Sequence, residues 1–322
     1  MSSVQQAILK SLGNVIQDES HKDLLHKFEA FLKAIPENEL TNFQEAFESH
    51  GKSWGFQPKN NVAQKVLTEL IHAMYGQLKI KGKTFAEEAL GLAKQGRSVV
   101  MISNHLSYGD VNFLHGQLGL NGLKDFPLLV MAGPKVYSDA FRLLSSMAFD
   151  SLKMAQPPSR ASGDAAEISR RELAEITRKV IEDCKKYQEL GRILFFFPEG
   201  SRSRSGGLNA FIPAVFRYVD QKDTIVYPIG FTGTEGLVGV DEALSVSKTE
   251  IKIGKGIEFD QLKVVMQEKS EAASFKKNCV DYLGYAVSSL LPEEKRGYYS
   301  FGSTEDKELQ EVQSLYLTDR SC

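Results

Sequence analysis

Val99-Val100-Met101-Ile102-Ser103-Asn104-His105-Leu106-Ser107-Tyr108-Gly109-Asp110 is the stretch whose reading decides the fold. Its first four residues form an unbroken apolar run after the turn signal Gln95-Gly96-Arg97, the mark of a fully buried strand in a mostly parallel sheet. The strand ends at Ser103. Asn104, His105, Ser107, Gly109 and Asp110 follow, a dense polar and turn-forming set. They stand where an open α/β sheet carries its chemistry, outside the carboxyl ends of its strands.

His105 and Asp110 are five positions apart. On a continuous helix that offset is about 140° around the axis, so the two side chains meet only across a turn, which Gly109 permits. A carboxylate accepting one ring N–H would fix the histidine tautomer and leave the other nitrogen as a general base near neutral pH. No serine sits in a G-x-S-x-G elbow, so the base would activate a hydroxyl of the substrate rather than of the protein. Six histidines in a chain of this length make the spacing alone weak evidence; its position after a buried strand strengthens it.

Outward from this stretch the chain changes character. Residues 1 to about 80 carry helical spacing and no strand signal: Val4, Ile8, Leu12; Leu24, Phe28, Leu32, stopped by Pro36; Leu40, Phe43, Phe47; then Val62, Val66, Leu70 and Met74. They predict a small helical bundle. Trp54, the single tryptophan, receives no role. From about residue 84, helices alternate with apolar strands predicted at Phe126–Met131, Phe149–Leu152, Ile193–Phe197, Ile225–Ile229 and Glu250–Ile253. Between them come a polar loop at Gln156–Arg160, a charged helix from Asp164 to Glu189, and later a helix from Glu271 to Leu291. The alternation implies a mostly parallel mixed sheet covered by helices.

Composition is that of a globular protein, with 42% hydrophobic and 25% charged residues and a net charge of −2. That balance argues against a nucleic-acid binder, whose footprint is strongly basic. Cys184, Cys279 and Cys322 are scattered without metal-ligand spacing, which fits a reducing compartment and neither a disulfide framework nor a metal site. No window approaches a spanning helix and the first residues lack a signal-peptide pattern. Work on lipids would therefore proceed from the aqueous side, as peripheral contact with a membrane surface.

A second element follows the Phe-rich strand: Phe197-Pro198-Glu199-Gly200-Ser201-Arg202-Ser203-Arg204-Ser205-Gly206-Gly207. Arg202 and Arg204 are two apart in an extended segment, so both side chains can leave on one side as a clamp. Guanidinium groups match phosphate oxygens bidentately, and the flanking glycines admit close backbone approach. Glu199 could orient an arginine or a substrate hydroxyl. Standing alone, the segment reads equally as an exposed basic loop.

Together, Asn104-His105-x4-Asp110, Phe197 to Arg204, and Pro228-Ile229-Gly230 resemble the glycerolipid acyltransferase superfamily over residues 98 to 235. The nearest likeness is to the soluble glycerol-3-phosphate acyltransferases of plastids, which share a helical region ahead of the α/β domain and a stretch similar to Ala132-Gly133-Pro134-Lys135-Val136-Tyr137-Ser138-Asp139. The resemblance implies His105 as general base, Asp110 as its partner, and Arg202 and Arg204 in the acceptor-phosphate site. Lys153 falls where those enzymes carry a further phosphate-binding lysine. Asn104, Glu199 and Gly200 belong to the motifs and their positioning. Met154 departs from the plastid pattern, which has a histidine there, and Phe197 to Arg204 reads like bacterial and membrane-bound members.

The expectation is an O-acyltransferase with no cofactor, moving a fatty acyl group from acyl-coenzyme A or acyl carrier protein to glycerol-3-phosphate, in a cytoplasmic or plastid-stromal setting. Its domains would be a helical one at 1–80, a catalytic α/β one at 81–295 and a charged, loosely packed tail at 296–322. The rivals are the same chemistry on lysophosphatidate, and a non-catalytic module that binds lipid or docks a carrier protein. A metal-dependent hydrolase is disfavoured because no second histidine cluster completes a site.

Overall fold

The computed structural model describes residues 1–16, 22–155, 168–237, 247–302, 304 and 306–320. In chain order the elements are α1 (Ser3–Val15), α2 (Lys22–Lys33), α3 (Glu37–Ser49), β1 (Gly55–Gln57), α4 (Asn61–Tyr75), α5 (Lys83–Lys94), β2 (Val99–Ser103), α6 (Asp110–Leu120), β3 (Leu128–Ala132), α7 (Ala140–Met147), β4 (Asp150–Lys153) and α8 (Arg170–Glu189). Then come β5 (Ile193–Phe196), α9 (Phe216–Val219), β6 (Ile225–Thr232), β7 (Glu250–Ile253), β8 (Ile257–Glu258), α10 (Phe259–Lys269), α11 (Phe275–Ser288) and α12 (Lys307–Arg320). The protein is mixed α/β, as its sequence implies.

The chain divides into two compact units: 1–78 with 108–187 and 236–246, and 79–107 with 188–235 and 247–322. The amino-terminal helices fall within the first unit. Gln5 Nε2 of α1 donates to the Leu32 carbonyl at 2.6 Å, and Ser11 Oγ donates to the Asp139 carboxylate at 2.7 Å, which itself caps α7. These polar fastenings connect the apolar faces of α1, α2 and α7, where Ile8, Leu12, Phe28, Leu32 and Leu144 have no exposure.

Within the first unit β3 and β4 run parallel, and β1 pairs antiparallel with β4, Phe56 opposite Leu152. A strand inside the segment expected to be all helical is a correction. Three residues are too few to show a period, and β1 is held by non-local contacts: the Phe56 N–H donates to the Asp183 carboxylate at 3.1 Å and its ring stacks on Tyr187 at 3.7 Å. Helix α6 is buried from Asp110 to Leu118. A Cβ on Gly116 would come within 2.8 Å of Ile71, so its absence lets α4 and α6 approach.

In the second unit β2 lies between β5 and β6, parallel to both, with β7 and β8 antiparallel to β6. Every residue of β2 and β5 is buried. That explains their uninterrupted apolar sequences. Helices α5 and α11 pack on these strands.

The tail corrects another expectation. Helix α12 buries Leu309, Val312 and Tyr316, and the Tyr316 ring meets that of Tyr282 on α11 at 5.2 Å. An apolar face at helical spacing within a charged sequence outweighs its composition. Helix α8 is described from Arg170; the expected loop at 156–160, the start of the charged helix at Asp164, and Cys322 lie outside the described residues. Cys184 and Cys279 are buried free thiols.

Candidate functional site

The second unit holds Asn104, His105, Glu199, Gly200, Arg202 and Arg204, all beyond the carboxyl ends of β2 and β5. Asn104 continues the pairing of β2 with β6 by its side chain: Nδ2 donates to the Phe231 carbonyl at 3.0 Å, and Oδ1 accepts the Phe231 N–H at 2.8 Å. The chain leaves the sheet at the next residue. The His105 N–H donates to Glu199 Oε1 at 2.7 Å, and its imidazole lies flat on the Phe197 ring, centroids 3.8 Å apart and planes 8° from parallel. The His105 carbonyl accepts the Ser203 N–H at 2.8 Å. The histidine loop and the arginine loop are thus fastened together at two points.

Glu199 is buried, and its Oε2 accepts both the backbone N–H (2.8 Å) and the side-chain Nδ2 (2.7 Å) of Asn209. The carboxylate therefore holds the backbone of the histidine loop. The turn that delivers it closes with the Gly200 N–H on the Phe197 carbonyl at 3.1 Å. Gly200 has φ 72°, a left-handed conformation that favours glycine, while a Cβ there would meet only the tip of the exposed Ile212 side chain. Beyond it Ser203 is buried between a half-buried Arg202 and an exposed Arg204. Its hydroxyl donates to the Gly207 carbonyl at 2.6 Å.

The first unit holds Asp110 and Lys153. Asp110 has no exposure and opens α6, where the positive end of the helix favours a carboxylate. Tyr75 nearby has its hydroxyl pushed above the ordinary range by burial and then by the Asp110 charge. Gly109 has φ −86°, open to any residue, so the turn itself does not demand glycine. What demands it is Leu237, whose Cβ would lie 2.8 Å from an added Cβ. The Leu237 carbonyl also accepts the Gly109 N–H at 3.1 Å.

Lys153 closes β4 and donates from Nζ to the Gly51 carbonyl at 2.5 Å. Its ammonium also lies 4.5 Å from the Trp54 ring centroid and 5.3 Å from that of Tyr137. Burial holds it below the ordinary lysine value. Trp54, passed over in the sequence, is thus one wall of an aromatic seat for this lysine.

Other participants gave no signal. Asn209 is ten residues beyond Glu199 in an ordinary polar loop, and Arg142, whose guanidinium lies 4.3 Å over the Tyr108 ring, sits within an amphipathic helix. Among the described residues no group of three or more His, Cys, Asp or Glu side chains could hold a metal ion. Among them, too, no helix is long and apolar enough to cross a membrane.

A histidine held at the end of a parallel strand and tied to an arginine-bearing loop is a frame for group transfer. Residues 78–232, which carry every one of these motif residues, match the family model Acyltransferase. That match supports an O-acyltransferase. One solved structure with a related outline is the 1-acyl-sn-glycerophosphate (LPA) acyltransferase PlsC from Thermotoga maritima, at 14% identity and a TM-score of 0.44, covering 89% of this chain and 95% of that one. A likeness at that level decides neither architecture nor acceptor. No curated protein matches the chain significantly.

Proposed function

We propose that the chain acylates the hydroxyl of glycerol-3-phosphate, taking a fatty acyl group from a thioester of acyl carrier protein or coenzyme A. The observation that carries this reading is the bond from the Ser203 N–H to the His105 carbonyl. It ties the backbone of the histidine to Ser203, the residue between two arginines suited to a phosphate.

His105 takes the hydroxyl proton as the oxygen attacks the thioester carbonyl. The C–S bond breaks and the proton passes to the leaving thiolate. Such transfer contributes on the order of 10² to 10⁴ in rate. Asp110 is assigned to orient the imidazole and stabilise its charged form, as the family likeness implies. Arg202 and Arg204 take the acceptor phosphate, and the family likeness alone assigns Lys153 to phosphate binding. Backbone N–H groups at the start of α6 are the candidate donors to the tetrahedral oxyanion.

The test is thiol release from palmitoyl-coenzyme A and palmitoyl-acyl carrier protein with glycerol-3-phosphate, lysophosphatidate or no acceptor. Release that requires glycerol-3-phosphate, with KM for it raised about tenfold or more in Arg202→Ala and Arg204→Ala, is expected from losing a charge-assisted contact. Release with lysophosphatidate alone would move the enzyme to the second acylation. Absence of release with every pair would favour a lipid-binding or carrier-docking module.

A further inference from the structure

Outside the matched segment 78–232 the carboxyl-terminal part of the second unit reaches back to the loop that follows the arginines. The Leu208 N–H donates to the Lys295 carbonyl at 3.0 Å, and the Tyr298 N–H to the Leu208 carbonyl at 2.8 Å. The Phe211 N–H donates to the Tyr299 hydroxyl at 2.9 Å, and that hydroxyl donates to Asp281 Oδ1 at 2.9 Å. Asp281, on α11, meets Lys277 through its other oxygen at 2.9 Å. Tyr299 has no exposure, and burial keeps its hydroxyl protonated, so it bridges the Phe211 N–H and the Asp281 carboxylate as both acceptor and donor.

The clamped residues Leu208 and Phe211 stand on either side of Asn209–Ala210. Asn209 gives two N–H groups to Glu199, and the other oxygen of Glu199 holds the His105 N–H. We infer that Asn209 and Tyr299 are positioning residues for His105: Tyr299 fixes the 208–211 loop on α11, and Asn209 transmits that position through the Glu199 carboxylate to the backbone of the base. Neither residue touches the reacting atoms. The assignment extends the acyltransferase reading, on which its catalytic consequence rests.

A base displaced by a fraction of an ångström loses rate without losing substrate affinity. Asn209→Ala removes one of the two bonds to Glu199 Oε2. Asn209→Asp sets a second carboxylate against it and is the more damaging of the two. Tyr299→Phe keeps the ring and deletes only the bridging hydroxyl.

The experiment measures kcat and KM for donor and acceptor in these three variants of the full chain. Alongside, amide hydrogen exchange at His105 is followed by NMR under conditions where each variant is fully folded. The expected result is kcat lower by about ten- to a hundredfold, both KM values within about twofold, Asp worse than Ala at 209, and faster exchange at His105 in all three. Unchanged kcat in Asn209→Asp and Tyr299→Phe, or exchange at His105 no faster than in the wild type, would overturn the inference. A fall in kcat matched by an equal rise in exchange throughout the unit would also overturn it, as general loosening. Should the wild type transfer no acyl group to any acceptor, the functional reading fails by itself, and exchange at His105 still decides whether this relay exists.

Discussion

Asn104→Ala isolates the device that ends β2 and launches the histidine. The side chain is buried and makes two bonds to one residue, accepting the Phe231 N–H at 2.8 Å and donating to the Phe231 carbonyl at 3.0 Å. Alanine leaves both backbone groups in a site from which water is excluded, Phe231 being 1% exposed. At about 1–3 kcal/mol for each orphaned group, the loss is about 3 kcal/mol. That corresponds to a fall in Tm of roughly 4–5 °C for a protein of this size. Asn104→Asp separates the two bonds, because a carboxylate can still accept the Phe231 N–H but repels the carbonyl. It should be at least as unstable as alanine at neutral pH and recover in acid, where a protonated carboxyl can donate. Urea titration and calorimetry of the three proteins read both effects. An alanine variant within about 0.5 kcal/mol of the wild type, or an aspartate variant as stable as asparagine at pH 7, would refute the role given to Asn104.

Burial depresses His50 and His115 to about 4, from 6.5, and both stay neutral in the fold. The unfolded chain binds those protons first, so stability is full above the ordinary value and falls as pH drops toward 4. The gap in urea midpoint between pH 7 and pH 5 should accordingly narrow in His50→Phe and His115→Phe; an unaltered gap would contradict the assignment. Trp54 reports on Lys153 across 4.5 Å. Its fluorescence should titrate with a midpoint below the ordinary lysine value, a step that Lys153→Met abolishes, and stability should rise with pH through that alkaline window as the burial penalty on the charge is relieved. Gly200→Ala places a side chain on a left-handed backbone, so activity and about 1–3 kcal/mol of stability should be lost together; full activity and stability in the Gly200→Ala enzyme would show that the turn relaxes freely.

What the sequence revealed follows from where its signals are local. The runs at Val99–Ser103 and Ile193–Phe196 are strands buried on both faces, and unbroken apolar sequence is what such strands require. Glu250–Ile253 alternates in burial as it alternates in polarity. By contrast, β1 exists because Phe56 finds Asp183 and Tyr187 more than a hundred residues away. Helix α12 hides Leu309, Val312 and Tyr316 inside a charged composition that reads as a loose tail.

The site shows the same division. His105, Glu199 and the arginines announced themselves by chemistry at strand ends, whereas what Glu199 holds was not legible. Its partners include a backbone N–H ninety-four residues back and an asparagine without a motif. The requirement for Gly109 was legible as a glycine but not for its reason, since the constraint is the approach of Leu237 and not the turn.

The central claim is that His105 is the base of an acyl transfer. His105→Ala removes an imidazole stacked on Phe197 while leaving the backbone bonds to Glu199 and Ser203 in place, so the variant should fold. Acceptor-dependent thiol release from palmitoyl-acyl carrier protein or palmitoyl-coenzyme A is measured for wild type and His105→Ala at equal folded concentration. The expected result is release that needs glycerol-3-phosphate and falls by about 10² or more in the variant; undiminished release from a folded His105→Ala enzyme would contradict it.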